Sequence, residues 1–154
     1  MCPLSATTLA ACPFSIAQTY TEDYLREAEA GGATAILVAG PLRRRVTVSF
    51  GSNVDETEPG RPHEQLSVRW SAHSPFIPDF AGCLRFRIAG QETRLVLEGK
   101  YVPPGGWLGI VVDAAIGRRI AQATADALLA RIARDLQSRE AAWRARTEPR
   151  SLEV

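Results

Sequence analysis

The passage Tyr101-Val-Pro-Pro-Gly-Gly-Trp-Leu-Gly109 divides the chain into two kinds of sequence pattern. Before it, apolar and polar residues alternate with a period of two, which predicts β-strands. After it, apolar residues recur at spacings of three and four, and no proline occurs until Pro149. The pattern therefore predicts one helix of about forty residues, about 60 Å long at 1.5 Å per residue. A helix of that length must lie across the strands that precede it.

The two strands before this passage have a register that follows from their residues. If Gly90-Gln91 is a two-residue turn, Ala89 pairs with Glu92. The facing pairs are then Phe86 with Leu95, Leu84 with Leu97, Gly82 with Gly99, and Phe80 with Tyr101. Every one of these residues is apolar or glycine, which predicts an antiparallel sheet with one apolar and one solvated face. Two facing glycines predict a sharp bend of the sheet at that point.

The rest of the chain supplies further strands and one helical segment. We expect an edge strand at 5–11, and further strands at 35–39, 45–55 and 66–73. Ser15-Ile-Ala-Gln18 is a capping box and Thr19 begins a second possible helix start, so residues 15–30 form either one helix or two. Breaker-rich loops are predicted at 57–63 and 74–78.

Composition limits the class of protein. The 154 residues fit one domain, predicted at 1–146, with a disordered tail at 147–154. The formal net charge of +1 gives no overall field that favours nucleic acid or a membrane surface. No run approaches the roughly 18 apolar residues of a membrane span, which predicts a soluble protein. Three cysteines without metal-ligand spacing indicate free thiols in a reducing cytoplasm.

Residues 95–109, leading through Asp113 into the helix, resemble the end of a START-like domain. This helix-grip or SRPBCC superfamily includes polyketide cyclases and ligand carriers of the pollen-allergen type. The resemblance covers about residues 34–140 in pattern and 95–113 in local sequence. It implies an α+β helix-grip fold, in which a curved antiparallel sheet wraps around the long C-terminal helix and encloses a cavity. The superfamily shares no single catalytic constellation, so the resemblance transfers no catalytic residue.

A cavity between sheet and helix would be lined by the inner face of the strands and the near face of the helix. The predicted lining residues are Val48, Phe50, Val68, Trp70, Leu84, Phe86, Leu95, Leu97, Tyr101, Trp107, Val112, Ile116 and Arg119. On the helix, spacing predicts a first apolar face of Leu108, Val111, Val112, Ala115, Ile116, Ile120 and Ala123. A second, rotated face comprises Ala125, Leu129, Ile132, Leu136 and Trp143. Alanines in the middle of the helix either leave room for a pocket or reflect the high helix propensity of alanine.

Few polar residues fall where chemistry would need them. Arg119 either meets a carboxylate or phosphate on an apolar ligand, or extends to the helix edge as a structural residue. Trp70 and Tyr101 either orient a ligand or belong to the core. His73 and Asp79 flank a loop as a possible acid–base pair, but nothing puts them near a pocket. We therefore assign no catalytic residue, no metal site and no cofactor.

These observations favour a helix-grip protein that binds a lipid- or polyketide-like apolar small molecule, as a monomer or homodimer. Ligand binding without catalysis is slightly favoured over an enzymatic role. One alternative is a cyclase- or dehydratase-type enzyme acting on a hydrophobic substrate. Another is an interaction module without a cavity.

Overall fold

A six-stranded sheet and a long C-terminal helix form most of the chain that the computed structural model describes, residues 1–17, 19–20, 23, 34–39, 42–52, 65–71, 77–103 and 110–147. The strands are β1 (Cys2–Ala10), β2 (Thr34–Ala39), β3 (Leu42–Ser52), β4 (Gln65–Ser71), β5 (Asp79–Ala89) and β6 (Glu92–Val102). Helix α1 contains the helical residues 14–17, 19–20 and 23. Helix α2 (Ile110–Thr147) has 38 residues.

The strands are all antiparallel to their neighbours and lie in the order β1-β6-β5-β4-β3-β2. Strands β2 to β6 therefore form a meander, and β1 joins its end by pairing with β6. The predicted register of β5 and β6 is confirmed, from Ala89 opposite Glu92 to Phe80 opposite Tyr101. Gly90 occupies the turn with a φ of 67°, a left-handed conformation that glycine adopts without strain.

Gly82 and Gly99 face each other on neighbouring strands, as predicted, and the space beside them is filled. A Cβ atom on Gly99 would lie 2.6 Å from the Cα of Gly82 and 2.6 Å from Cζ of Phe80. The Phe80 ring therefore occupies the room that a larger residue at either position would need. That ring also stacks on Trp70, with centroids 4.0 Å apart.

Helix α2 packs against β1, β6 and β2, and so touches strands at both edges of the sheet. Its buried positions recur every three or four residues: Gly117, Ala121, Thr124, Ala125, Leu128, Leu129, Ile132, Ala133, Leu136 and Glu140. This stripe includes four members of the predicted second face, whereas Trp143 is 51% exposed. Of the predicted first face, Ile116 is 57% exposed and Gly117 is buried instead, whereas the side chains of Leu108, Val111, Val112 and Ala115 lie outside the described residues. The prediction ranked residues by hydrophobicity, but small residues occupy the buried positions 117 and 121.

Two side-chain hydrogen bonds fasten the segment after β1. The Thr93 hydroxyl donates to the carbonyl of Cys12 over 2.7 Å, and the Tyr20 hydroxyl donates to the carbonyl of Arg139 over 3.4 Å. Helix α1 begins at residue 14, where the Pro13 carbonyl accepts from the amide of Ala17 over 2.9 Å. The question of one helix or two over 15–30 lies mostly outside the described residues.

The long helix ends at Thr147, whose hydroxyl donates to the carbonyl of Trp143 over 2.9 Å. Thr147, the first residue of the predicted disordered tail, is therefore helical, and residues 148–154 lie outside the described residues. Among the helices that are described, none is long and apolar enough to cross a membrane.

Candidate functional site

The inner face of the sheet is a continuous apolar surface. Eight predicted lining residues lie on it, each no more than 4% exposed: Val48, Val68, Trp70, Leu84, Phe86, Leu95, Leu97 and Tyr101. The register brings them together, since Trp70 lies beside Phe80, which faces Tyr101, while Leu84 faces Leu97. Phe80 and Leu66 belong to the same surface, as alternation along each strand predicts, although neither was included among the predicted lining residues.

The other five predicted lining residues are either exposed or have side chains outside the described residues. Ile116 is 57% exposed and Arg119 is also exposed on α2. The side chains of Phe50, Trp107 and Val112 lie outside the described residues, although the backbone of Phe50 pairs with Val68. A lining role for these five residues stays a prediction.

The polar tip of Trp70 has a structural partner. Its indole Nε1–H donates to the carbonyl of Pro78 over 3.1 Å, and both residues are buried. This bond and the stack on Phe80 fix the ring, which agrees with the core interpretation of Trp70. Asp79 is exposed, while His73 lies outside the described residues, so the suggested acid–base pair gains no geometry.

Small side chains dominate the central part of the α2 surface that is buried. Ala121 and Ala125 are fully buried, and Gly117 lies one turn before them. The hydroxyl of buried Thr124 donates to the carbonyl of Ile120 over 2.8 Å. The helix thus satisfies this hydroxyl itself, so no polar group of Thr124 requires a partner in the sheet.

A groove of about 430 Å³ opens where α2 runs beside β1. It is lined by Pro3, Leu4, Ser5, Glu98, Gly99, Arg118 and Gln122. Gln122 donates to the Ser5 carbonyl over 3.2 Å and to Asp126 Oδ1 over 3.1 Å. The sequence prediction missed this groove. A usable signal was the spacing of Arg118, Gln122 and Asp126, which follow the buried positions 117, 121 and 125 by one residue each.

A second polar cluster lies at the far end of β1. Glu140 is 4% exposed and accepts from Arg144 Nε over 2.8 Å through Oε1, while its Oε2 has no hydrogen-bond partner among the described residues. Burial raises the pKa of the Cys12 thiol to about 11; the Glu140 carboxylate adds to the rise and Arg144 opposes it. Burial, together with Glu140, also raises the pKa of Tyr20.

These clusters supply no metal centre. In the described ranges, no group of three or more histidine, cysteine or acidic side chains could hold a metal ion. The exposed Arg85–Glu98 ion pair, 3.5 Å long, contributes little to stability because solvent screens it.

Comparison with known proteins identifies the fold. No family model and no curated protein matches the chain. Among solved structures, TTHA0849 from Thermus thermophilus matches with a TM-score of 0.55 and 12% identity, over 89% of this chain and 98% of that one. Together with the strand order and the long α2, this likeness confirms the predicted α+β helix-grip fold, an antiparallel sheet with one long C-terminal helix.

Two further solved structures are more distant. The Zhui aromatase/cyclase from Streptomyces sp. R1128 has a TM-score of 0.44 and 18% identity, over 99% of this chain and 98% of that one. A START superfamily protein from Mycobacterium smegmatis has a TM-score of 0.42 and 11% identity, over 92% and 98%.

Proposed function

We propose that this chain is a carrier or sensor that binds a lipid- or polyketide-like apolar small molecule between the inner face of the sheet and α2. The observation that carries the proposal is the position of α2 against the sheet. Helix α2 contacts both edge strands, β1 and β2, while the strands between them present the apolar inner face. An apolar ligand held there would gain about 25 cal/mol for each Å² of apolar surface removed from water.

The composition of the two facing surfaces supports the same proposal. The sheet contributes large apolar side chains such as Leu84, Phe86 and Leu97, and the buried stripe of α2 contributes Gly117, Ala121 and Ala125. None of these side chains carries a polar group, which suits ligands with few polar groups. The proposal includes a reducing, cytoplasmic setting, which the three free thiols support.

Native mass spectrometry of the gently purified protein tests the proposal. We expect a species heavier than the bare chain, whose excess mass disappears on denaturation and is recovered in an organic extract. The same spectrum reports whether the protein is a monomer or a homodimer. A mass change of the recovered molecule after incubation with the protein would favour the cyclase- or dehydratase-type alternative.

A space-filling substitution sharpens this test. Ala121→Leu adds three carbons beneath α2, whereas Ala130→Leu adds them at an exposed position of the same helix. If a cavity accepts the new side chain, Ala121→Leu abolishes ligand co-purification and changes stability little, and Ala130→Leu changes neither. The proposal would be contradicted if the wild-type protein carried no ligand and Ala121→Leu were destabilised by about 1–3 kcal/mol through overpacking. That pair of results would favour an interior filled by side chains.

A further inference from the structure

Three exposed apolar side chains lie at the end of the molecule that contains the β5–β6 turn. Ile88 is 70% exposed, Trp143 is 51% exposed and Leu9 is 47% exposed. Ile88 occupies an inner-face position of β5, two residues beyond buried Phe86, and Trp143 lies on the same face of α2 as buried Leu136. The apolar faces of the sheet and the helix therefore extend past the point at which they cover each other.

Contacts between the elements show that these side chains share one end. Ile88 faces Thr93, whose hydroxyl donates to the carbonyl of Cys12 over 2.7 Å, just after β1. The Glu140 carboxylate adds to the raised pKa of Cys12 and lies one helical turn before Trp143. The β5–β6 turn, the end of β1 and the last turns of α2 are therefore neighbours.

Exposed arginines border the apolar side chains. Arg87 faces Arg94 across β5 and β6, and Arg94 faces Leu9 on β1, so these three residues form one row on the outer face of the sheet. Like charges directly opposite each other destabilise an antiparallel pair. No carboxylate of the described residues lies within ion-pairing distance of Arg87, Arg94 or Arg146 near the end of α2. Glu92, beside the turn, offsets only part of this positive charge.

This combination of side chains fits the surface of an anionic bilayer. Tryptophan and isoleucine can enter the boundary between headgroups and acyl chains, where the indole N–H still finds hydrogen-bond partners. Arginines beside them are attracted to negatively charged headgroups. A soluble anion would use the arginines but leave the apolar side chains in water. Since the formal net charge of the chain is only +1, the attraction is local to this end.

We propose that one end of this protein binds peripherally to anionic lipid bilayers. The turn-end surface that makes the contact comprises Leu9, Arg87, Ile88, Arg94, Trp143 and Arg146. This inference goes beyond the proposed function, because it concerns the outside of the protein and requires no bound ligand. It also gives a carrier a place to exchange its cargo, since apolar molecules partition from water into bilayers.

Co-sedimentation with phosphatidylcholine vesicles, with and without phosphatidylglycerol, tests the inference. We expect the wild type to bind the vesicles that contain phosphatidylglycerol, and to bind them less tightly at high salt, because salt shortens the Debye length. An arginine near an anionic surface contributes about fivefold in affinity, so Arg87→Gln combined with Arg94→Gln should weaken binding about 25-fold. Trp143→Ser should weaken it about tenfold, because it removes the largest apolar side chain of the surface.

Matched variants control for total charge and for the loss of an exposed apolar side chain. Arg131→Gln combined with Arg134→Gln removes two charges from exposed positions in the middle of α2. Ile116→Ser removes an exposed apolar side chain near the other end of α2. Both variants should bind the vesicles much as the wild type does. Circular dichroism should show wild-type folding for Arg87→Gln with Arg94→Gln, because that change removes a repulsion.

The inference is overturned if the wild type does not bind phosphatidylglycerol vesicles, or if it binds both lipid compositions equally. It is also overturned if the control pair on α2 weakens binding as much as the Arg87 and Arg94 pair does. Sedimentation equilibrium identifies another occupant: a wild-type dimer that Trp143→Ser converts to a monomer, without vesicle binding, would make this surface a contact between two copies. A ligand that co-purifies with a protein unable to bind vesicles would refute this inference alone and leave the proposed function intact.

Discussion

Replacing Gly99 by alanine tests the close approach of β5 and β6. The new Cβ would lie 2.5 Å from the carbonyl oxygen of Ala81, 2.6 Å from the Cα of Gly82 and 2.6 Å from Cζ of Phe80. Two of these three atoms belong to a backbone held in the sheet, so they cannot rotate away as a flexible side chain would. Overpacking of this kind costs about 1–3 kcal/mol.

A smaller effect opposes this cost. Removing a glycine reduces the conformational entropy of the unfolded chain, which stabilises the protein by about 0.4–1 kcal/mol. The net expectation for Gly99→Ala is therefore a loss of about 1–2 kcal/mol in the free energy of unfolding. In a chain of this size that corresponds to a decrease in Tm on the order of 5 °C. Urea titration followed by circular dichroism measures the free energy, and calorimetry measures Tm.

A double-mutant cycle with Phe80→Leu shows whether the ring is part of the clash. Shortening the ring removes one of the three contacts, so the two substitutions should couple favourably by at least about 0.5 kcal/mol. Gly90→Ala is the matched control, because it has open space around its Cβ and only its positive φ is strained. It should not couple to Phe80→Leu. The reasoning is refuted if Gly99→Ala is as stable as the wild type, or if Gly90→Ala shows the larger coupling.

Three further predictions concern the far end of β1. Thr93→Val removes the 2.7 Å hydrogen bond to the Cys12 carbonyl and should lower the free energy of unfolding, measured by urea titration, by about 1–3 kcal/mol. An unchanged urea midpoint would contradict a stabilising role for this bond. The pKa of Cys12 is raised from 9.0 to about 11, so between these values the native state keeps a proton that the unfolded state releases. The contribution of this protonated thiol to the free energy of unfolding is present in full below pH 9. From pH 9 to 11 that free energy should fall by up to about 1.4 kcal/mol per pH unit, compared with Cys12→Ala over the same range. Glu140→Gln should lower the pKa of Cys12, measured by thiolate absorbance in a background that lacks Cys2 and Cys83. If wild type and Cys12→Ala lose stability with equal slopes between pH 9 and 11, burial does not hold the proton on this thiol. If the absorbance curve is unchanged in Glu140→Gln, the Glu140 carboxylate does not hold it.

The register of the last hairpin could be predicted because its information is local. Alternation on β5 and β6 and a glycine at the turn leave one register in which Leu84 faces Leu97 and both lie on the apolar face. The partner of β1 could not be predicted in the same way. Its nine residues pair with β6, which follows four other strands in the sequence, and their alternation is compatible with either edge of the sheet.

Among the described side chains of α2, the buried face was predicted from Ala125 to Leu136 but not before it, for a related reason. Between Ala125 and Leu136 the large apolar residues and the buried positions coincide, because leucine and isoleucine fill the space against the sheet. Between residues 116 and 121 the buried positions are held by Gly117 and Ala121, which rank below Ile116 on any hydrophobicity scale. Close packing against a strand selects small residues there, and a hydrophobic pattern alone does not contain that requirement.

The position of β1 explains why the groove of Arg118 and the cluster of Glu140 and Cys12 lie along one strand. The Gln122 amide donates to the Ser5 carbonyl near its start, and the Glu140 carboxylate adds to the raised pKa of Cys12 just beyond its end. The 18 helical residues between Gln122 and Glu140 span about 27 Å, and the seven residues from Ser5 to Cys12 span about 24 Å when extended. These lengths agree because residues 122–140 of α2 run along β1 in the same direction. The groove of Arg118 and the buried carboxylate of Glu140 are then the two ends of one helix–strand contact, and the packed stripe from Ala121 to Leu136 separates them.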